Sequence, residues 1–169
     1  TEWMLTYEAN EVIVNSNYMK SEVQRLFGLP FEKINVVPNG VNLNKFTGMD
    51  RDYSFRRKYA MDNEKIILFM GRLVYEKGIQ HLIAAMPKVL AGYHDAKLVI
   101  AGRGGMLDEL RAEADALGLG DKVYFAGYMN GKDVEKMYKA ADISVFPSTY
   151  EPFGIVALEG MLAERPIVV

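Results

Sequence analysis

The chain has 169 residues, half of them hydrophobic and a quarter charged, with 20 Lys and Arg against 22 Asp and Glu, 15 Gly, 6 Pro and no Cys. That balance belongs to a folded chain rather than a disordered one. The lack of Cys excludes disulfides, zinc–thiolate sites, thiolate-held iron–sulfur clusters and a cysteine nucleophile, and is compatible with a cytoplasmic location. A net charge of -2 supplies no global positive field to gather nucleic acid or anionic lipid, and leaves room only for a local basic pocket. The longest apolar stretches, HLIAAMPKVLAGY and GIVALEGMLA, are interrupted and fall well short of the about 20 residues that cross a bilayer. The opening TEWMLTYEANEV lacks the order of a signal peptide. Because the chain starts without Met and ends on the strand-like PIVV, both ends are expected to continue into a longer protein.

In chain order, a short β-rich run at 12–14 leads to Ser16 and Asn17, residue types that cap helices. Met19, Val23, Leu26 and Phe27 then recur at helical spacing, with Gly28 as a stop. A second strand is expected at 34–37, which makes one β-α-β unit of about 40 residues, too small to stand alone. Pro38, Asn39 and Gly40 punctuate the chain, and a linker or domain boundary is expected within 39–46. A short helix is expected over 53–61.

Beyond it the alternation becomes regular. Strands are expected at 66–70 (IILFM), 97–101 (KLVIA), 123–126 (VYFA), 143–146 (ISVF) and 167–169 (IVV), with helices at 79–91, 106–117, 132–141 and 154–164 between them. Continuously apolar strands separated by helices argue for a parallel sheet covered on both faces. The expected class is therefore α/β, a doubly wound, mostly parallel Rossmann-like sheet. Such a domain usually adds a further β-α unit, so it is expected to be incomplete at its C-terminus.

In an open sheet of this kind ligands bind beyond the carboxyl ends of the strands. That rule selects the loops GRLVYEKG, GRGG, GYMNG and PSTYEPFG before any side chain is considered. The loop 71–78 carries Arg72, a planar fork of donors, and Lys77, a mobile point charge, ahead of a helix N-terminus, which suits a diphosphate. The plainer reading is a polar loop with a solvated Glu76 and Lys77. GRGG at 102–105 is either a tight turn or a phosphate contact. In the helix at 154–164, Glu159 falls amid Ile155, Val156, Leu162 and Ala163, so its carboxylate must be paired or ligand-bound. The plainer alternative is a salt bridge to a helix elsewhere in the protein. Glu151 precedes the same helix, where it could complement the dipole or, with Glu159, place two acceptors along a ligand rich in hydroxyls. His81 and His94, the only histidines, have no metal-like spacing; His81 is expected on a helix face. The ten Tyr and ten Met residues are scattered, which suggests packing, and no basic–aromatic alternation suited to nucleic acid is present.

Taken together, VIVNS, INVVPNGV, FMGRLVYEKG, LVIAGRG, VYFAGY and YKAADISVFPSTYEPFGIVALEGMLA resemble the large retaining glycosyltransferase family of GT-B fold, glycosyltransferase family 4 type, whose members include glycogen synthases and many mannosyl- and glucosyltransferases. The resemblance is most specific at the Glu-x7-Glu motif, Glu151 to Glu159, and at Gly71-Arg72 with Lys77. It implies that Arg72, Lys77 and Glu151 are catalytic, with Arg72 and Lys77 on the donor diphosphate. Glu159 would take the ribose hydroxyls, Glu151 with the backbone of Phe153, Gly154 and Ile155 the donor sugar, and Tyr128 and Met129 the base. It further implies that residues 1–40 are the last β-α-β piece of an N-terminal acceptor-side domain, and 41–169 an incomplete nucleotide-sugar-binding domain. The one departure is Asn42, where an Asp often stands.

The implied activity is retaining transfer of a hexose, glucose foremost, from a UDP- or ADP-linked donor to a glycan acceptor such as an α-1,4-glucan. No cofactor and no metal are implied. Lipid, cell-wall and small-molecule acceptors are alternatives, as is a non-catalytic nucleotide-binding module, and peripheral membrane contact by the rest of the protein stays open. Residues 1–169 by themselves are expected to be inactive. A sugar-phosphate-releasing epimerase or a phosphatase on the same fold would explain the anion loop but not the paired Glu151 and Glu159.

Overall fold

The structure is a computed structural model and describes residues 2–151 and 153–169. Two compact units divide the chain: residues 1–41 with 152–155, and residues 42–151 with 156–169.

In the smaller unit, β1 (Val12–Val14) pairs in parallel with β2 (Ile34–Val36), Val12 opposite Ile34. Between them runs α2 (Asn17–Phe27), whose ends are set by local chemistry. Ser16 is extended at φ -152° and its hydroxyl accepts the Met19 N–H at 3.1 Å. Gly28, at φ 66°, closes the helix by donating its N–H to the Gln24 carbonyl at 2.9 Å. Leu29 and Ile34 are its buried side chains. The sequence reading named no element before β1, yet α1 (Glu2–Glu8) is helical. It buries no residue; its supports include the Trp3–Tyr7 ring stack at 5.1 Å, an i,i+4 pair, and the Lys33 ammonium, which donates to the Tyr7 carbonyl.

The larger unit is built on five parallel strands: β3 (Lys65–Met70), β4 (Ala96–Ala101), β5 (Val123–Gly127), β6 (Ile143–Val145) and β7 (Ile167–Val168), in the spatial order β5-β4-β3-β6-β7. Helices α4 (Ile79–Gly92), α5 (Leu107–Ala116), α6 (Lys132–Ala140) and α7 (Ile155–Leu162) connect them. Every expected strand and helix of this region is present, within a few residues of its expected bounds. The strands are mostly apolar because both faces of the sheet are covered. Ile66, Leu68 and Val99 join Met137 and Tyr138 of α6 in one core, while Phe69, Leu98 and Ile100 join Ile79, Ile83 and Met86 of α4 and Leu110 of α5 in the other.

The helix expected over 53–61 is shorter: α3 is Tyr53–Arg56, capped by Asp52, which accepts the Phe55 N–H at 2.9 Å. The buried Arg56 guanidinium binds the carbonyls of Met61 at 2.9 Å and Glu64 at 2.5 Å, and holds the following residues in turns. Arg56 also meets Asp142 at 3.0 Å. Asp142, just ahead of β6, takes Arg51 at 3.1 Å and the Ile66 N–H at 2.9 Å as well. Burial raises its pKa, but the Ile66 N–H and the two guanidiniums outweigh that and hold the carboxyl below the usual carboxylate range.

After β5 the chain crosses back to lay β6 on the other side of β3. Strand order therefore reverses between β3 and β6, and loops leaving those two strands flank a crevice suited to a ligand.

Candidate functional site

Glycines bring the loops beyond the strand ends together. Gly78 ends the β3 loop at φ 67°, and a Cβ there would lie 1.9 Å from the Pro147 carbonyl oxygen of the β6 loop. A Cβ on Gly104 of the β4 loop would lie 2.2 Å from the Leu73 carbonyl oxygen. Backbone bonds hold the same contacts: Leu73 N–H to Arg103 O at 3.0 Å, Gly102 N–H to Gly127 O at 2.8 Å, and Thr149 N–H to Glu76 O at 2.9 Å. GRGG is thus a tightly packed turn whose small residues admit backbone-to-backbone contact.

On this scaffold Lys77 and Glu151, 74 residues apart, form an ion pair between the β3 and β6 loops, at the reversal of strand order. Their side chains are 18% and 31% exposed, so the pair is partly withdrawn from water, and Lys77 is not the solvated residue of the plainer reading. A cavity of about 360 Å³ opens over the ends of β3, β4 and β5, lined by Gly71, Arg72, Arg103, Tyr128 and Met129 among others. Arg72 is exposed, and its guanidinium has no hydrogen-bond or ion-pair partner among the described residues. Arg103 lies over the Tyr128 ring at 4.6 Å from its centroid. Five of the sequence-derived residues, Gly71, Arg72, Lys77, Tyr128 and Met129, together with Glu151, thus lie on loops beyond the carboxyl ends of the sheet. Phe153 and Gly154 lead into α7, which Ile155 opens; all three fall in the residue set of the smaller unit.

Glu159 has a partner within the chain, though not on another helix as the alternative reading had it. Its carboxylate pairs with Lys45, from the run of turns at 43–48. Those turns start at Asn42, whose side-chain oxygen accepts the Asn44 N–H at 3.0 Å, a role an Asp would fill equally. Phe46, 5% exposed, anchors the segment edge-on to the Tyr138 ring at 6.0 Å. The Tyr138 hydroxyl donates to the Val156 carbonyl at 3.2 Å; burial, reinforced by the neighbouring Glu159 carboxylate, raises its pKa far above the usual phenol value. Sequence reasoning missed Lys45 and Arg103. A large apolar Phe46 in a polar stretch was the one hint to the first, and GRGG contained the second. His81 is exposed on α4. Among the described residues no three His, Asp or Glu side chains are gathered to hold a metal ion.

Residues 50–169 match the family described as Glycosyl transferases group 1. The chain belongs to that family. Residues 1–45 match Glycosyltransferase Family 4. This group 1 glycosyltransferase chain is 49% identical to an uncharacterized glycosyltransferase of Methanocaldococcus jannaschii, over 99% of its own length and 44% of that protein's. It is 34% identical to the glycogen synthase of Mycobacterium tuberculosis, over 99% of its length and 39% of that enzyme. Among solved structures, Anabaena HepE in complex with UDP and glucose superposes with a TM-score of 0.85 at 26% identity, over 98% of this chain and 46% of that one. The chain spans less than half the length of these relatives. No helix among the described residues of this glycosyltransferase chain is long and apolar enough to cross a membrane.

Proposed function

We propose that the protein transfers a hexose, glucose foremost, from a nucleoside diphosphate donor to a hydroxyl of a glycan with retention at the anomeric carbon. The observation that carries this reading is the meeting of Lys77 and Glu151 across the reversal of strand order, on loops that share the carboxyl end of the sheet with a cavity lined by Arg72. A diphosphate needs fixed cations, and a sugar needs a carboxylate acceptor next to them. Arg72 and Lys77 stabilise negative charge as the bond from sugar to diphosphate ionises, and do so without a metal. Glu151, with the backbone of Phe153, Gly154 and Ile155, orients the sugar. Glu159 accepts the ribose hydroxyls, Gly71 lets the phosphates approach the backbone, and Tyr128 and Met129 line the base.

The Glu151–Glu159 spacing supports the Glu-x7-Glu reading. The likeness to HepE, whose complex holds UDP and glucose, supports a UDP-linked donor; the likeness to a glycogen synthase keeps ADP-glucose and an α-1,4-glucan acceptor in view. Residues 1–40 are the end of the acceptor-side domain in this reading and 41–169 the donor side, in a cytoplasmic enzyme. Transfer assays of the full-length protein with UDP-glucose and ADP-glucose against glycogen, with the product's anomeric configuration read by NMR, test it. An inverted product, or binding with no transfer to any hydroxyl acceptor, would overturn the retaining transferase. Residues 1–169 alone should bind UDP weakly and turn over far below the order of 10 per second typical of enzymes.

A further inference from the structure

We infer that Lys45 is a positioning residue for donor recognition: it holds the Glu159 carboxylate aimed for the ribose. This rests on the proposed donor site, and adds to it a residue that lies in none of the loops at the strand ends. Lys45 and Glu159 pair directly, with side chains 24% and 18% exposed. The helix face around Glu159 is apolar, and Val156, Ala157 and Leu162 pack against the core. A carboxylate left without a partner in such a place turns toward water, and that turn removes the acceptor that two hydroxyl donors require. Lys45 engages Oε1. A carboxylate has about four lone-pair directions, so one cation leaves capacity for two hydroxyls.

The position of Lys45 is itself determined by packing. Phe46 is buried beside Tyr138, and backbone bonds from Lys45 N–H to Asn42 O at 3.0 Å and from Thr47 N–H to Asn44 O at 3.2 Å keep the turn closed. Tyr138 serves both ends of the arrangement. Its ring packs on Phe46, and its hydroxyl, bonded to Val156 O, borders the Glu159 carboxylate. A cation carried on so anchored a turn costs little further ordering entropy, and suits positioning better than a freely swinging surface lysine would.

The test is calorimetric titration of the full-length protein with UDP and with 2′-deoxy-UDP, for the wild type, Lys45→Met and Lys45→Arg, alongside urea unfolding of each. The wild type should prefer UDP by about tenfold, in line with one hydrogen bond to a charged group. Lys45→Met should bring the preference to within about twofold of unity, leave 2′-deoxy-UDP affinity nearly unchanged, and be rescued by Lys45→Arg, which also keeps the variant series informative if Met alone impairs folding. An undiminished preference in Lys45→Met, with or without a lower urea midpoint, would show a purely structural ion pair and overturn the inference. Equal binding of the two nucleotides by the wild type would overturn the ribose role of Glu159 and this inference with it. Absence of UDP and ADP binding would instead overturn the donor site itself.

Discussion

Replacing Glu151 by Gln should strengthen nucleotide binding while it weakens transfer. Glu151 pairs with Lys77, the cation proposed for the donor diphosphate. Two unit charges about 4 Å apart attract by about 4 kcal/mol at an effective dielectric of about 20. Most of this is offset by the hydration both groups forgo, and pairs near a surface retain about 1 kcal/mol net. Glu151 is 31% exposed, so the lower figure applies. Removing the competing carboxylate should therefore raise UDP affinity about fivefold at low salt, an increment that shrinks at about 1 M salt, where the Debye length is about 3 Å. The same change removes the charged acceptor proposed for the donor sugar, worth about 1.5 to 3 kcal/mol, so transfer from UDP-glucose should fall by at least about tenfold. Titration with UDP at two salt concentrations, set beside the steady-state rate, reads both effects. Weaker UDP binding by Glu151→Gln would refute the competition: the carboxylate would then be presenting Lys77 to the phosphates rather than occupying it.

Glu159→Gln should lower donor affinity by roughly 1.5 to 3 kcal/mol, with a smaller loss of stability, because Lys45 can still donate to the amide oxygen; unchanged UDP affinity with a urea shift above about 3 kcal/mol would reject its ligand role. Gly78→Ala meets both a left-handed φ of 67° and a Cβ 1.9 Å from Pro147 O, so it should cost about 3 kcal/mol or more, whereas Gly105→Ala, with open space at its Cβ, should stay within about 0.5 kcal/mol; equal melting temperatures would contradict the close approach of the β3 and β6 loops. Asp142 has a depressed folded-state pKa, so its stabilisation is present above the unfolded value of about 3.9 and is lost as pH falls through the folded value. Asp142→Asn should accordingly destabilise by about 3 kcal/mol at pH 7, with the deficit vanishing in acid; a deficit constant with pH would exclude a charged role.

Local chemistry is what the sequence by itself determined. The apolar runs of β3 and β4, the Ser16 and Gly28 caps of α2, and the alternation of strands with helices rest on interactions between residues a few positions apart, and they are legible one window at a time. The same reasoning brought Arg72, Lys77 and Glu151 to one end of the sheet, since residues that follow parallel strands share that end whatever the strand order. Tertiary structure alone decided the partners. Lys45 and Glu159 are 114 residues apart, Lys77 and Glu151 74, and Arg56 and Asp142 86, and no periodicity links such positions. These pairings depend on β6 returning to the far side of β3 and on Phe46 docking beside Tyr138, both consequences of burying two apolar sheet faces at once. Charge pairing over such separations contributes too little free energy to direct the chain, so packing comes first and the pairs follow from it.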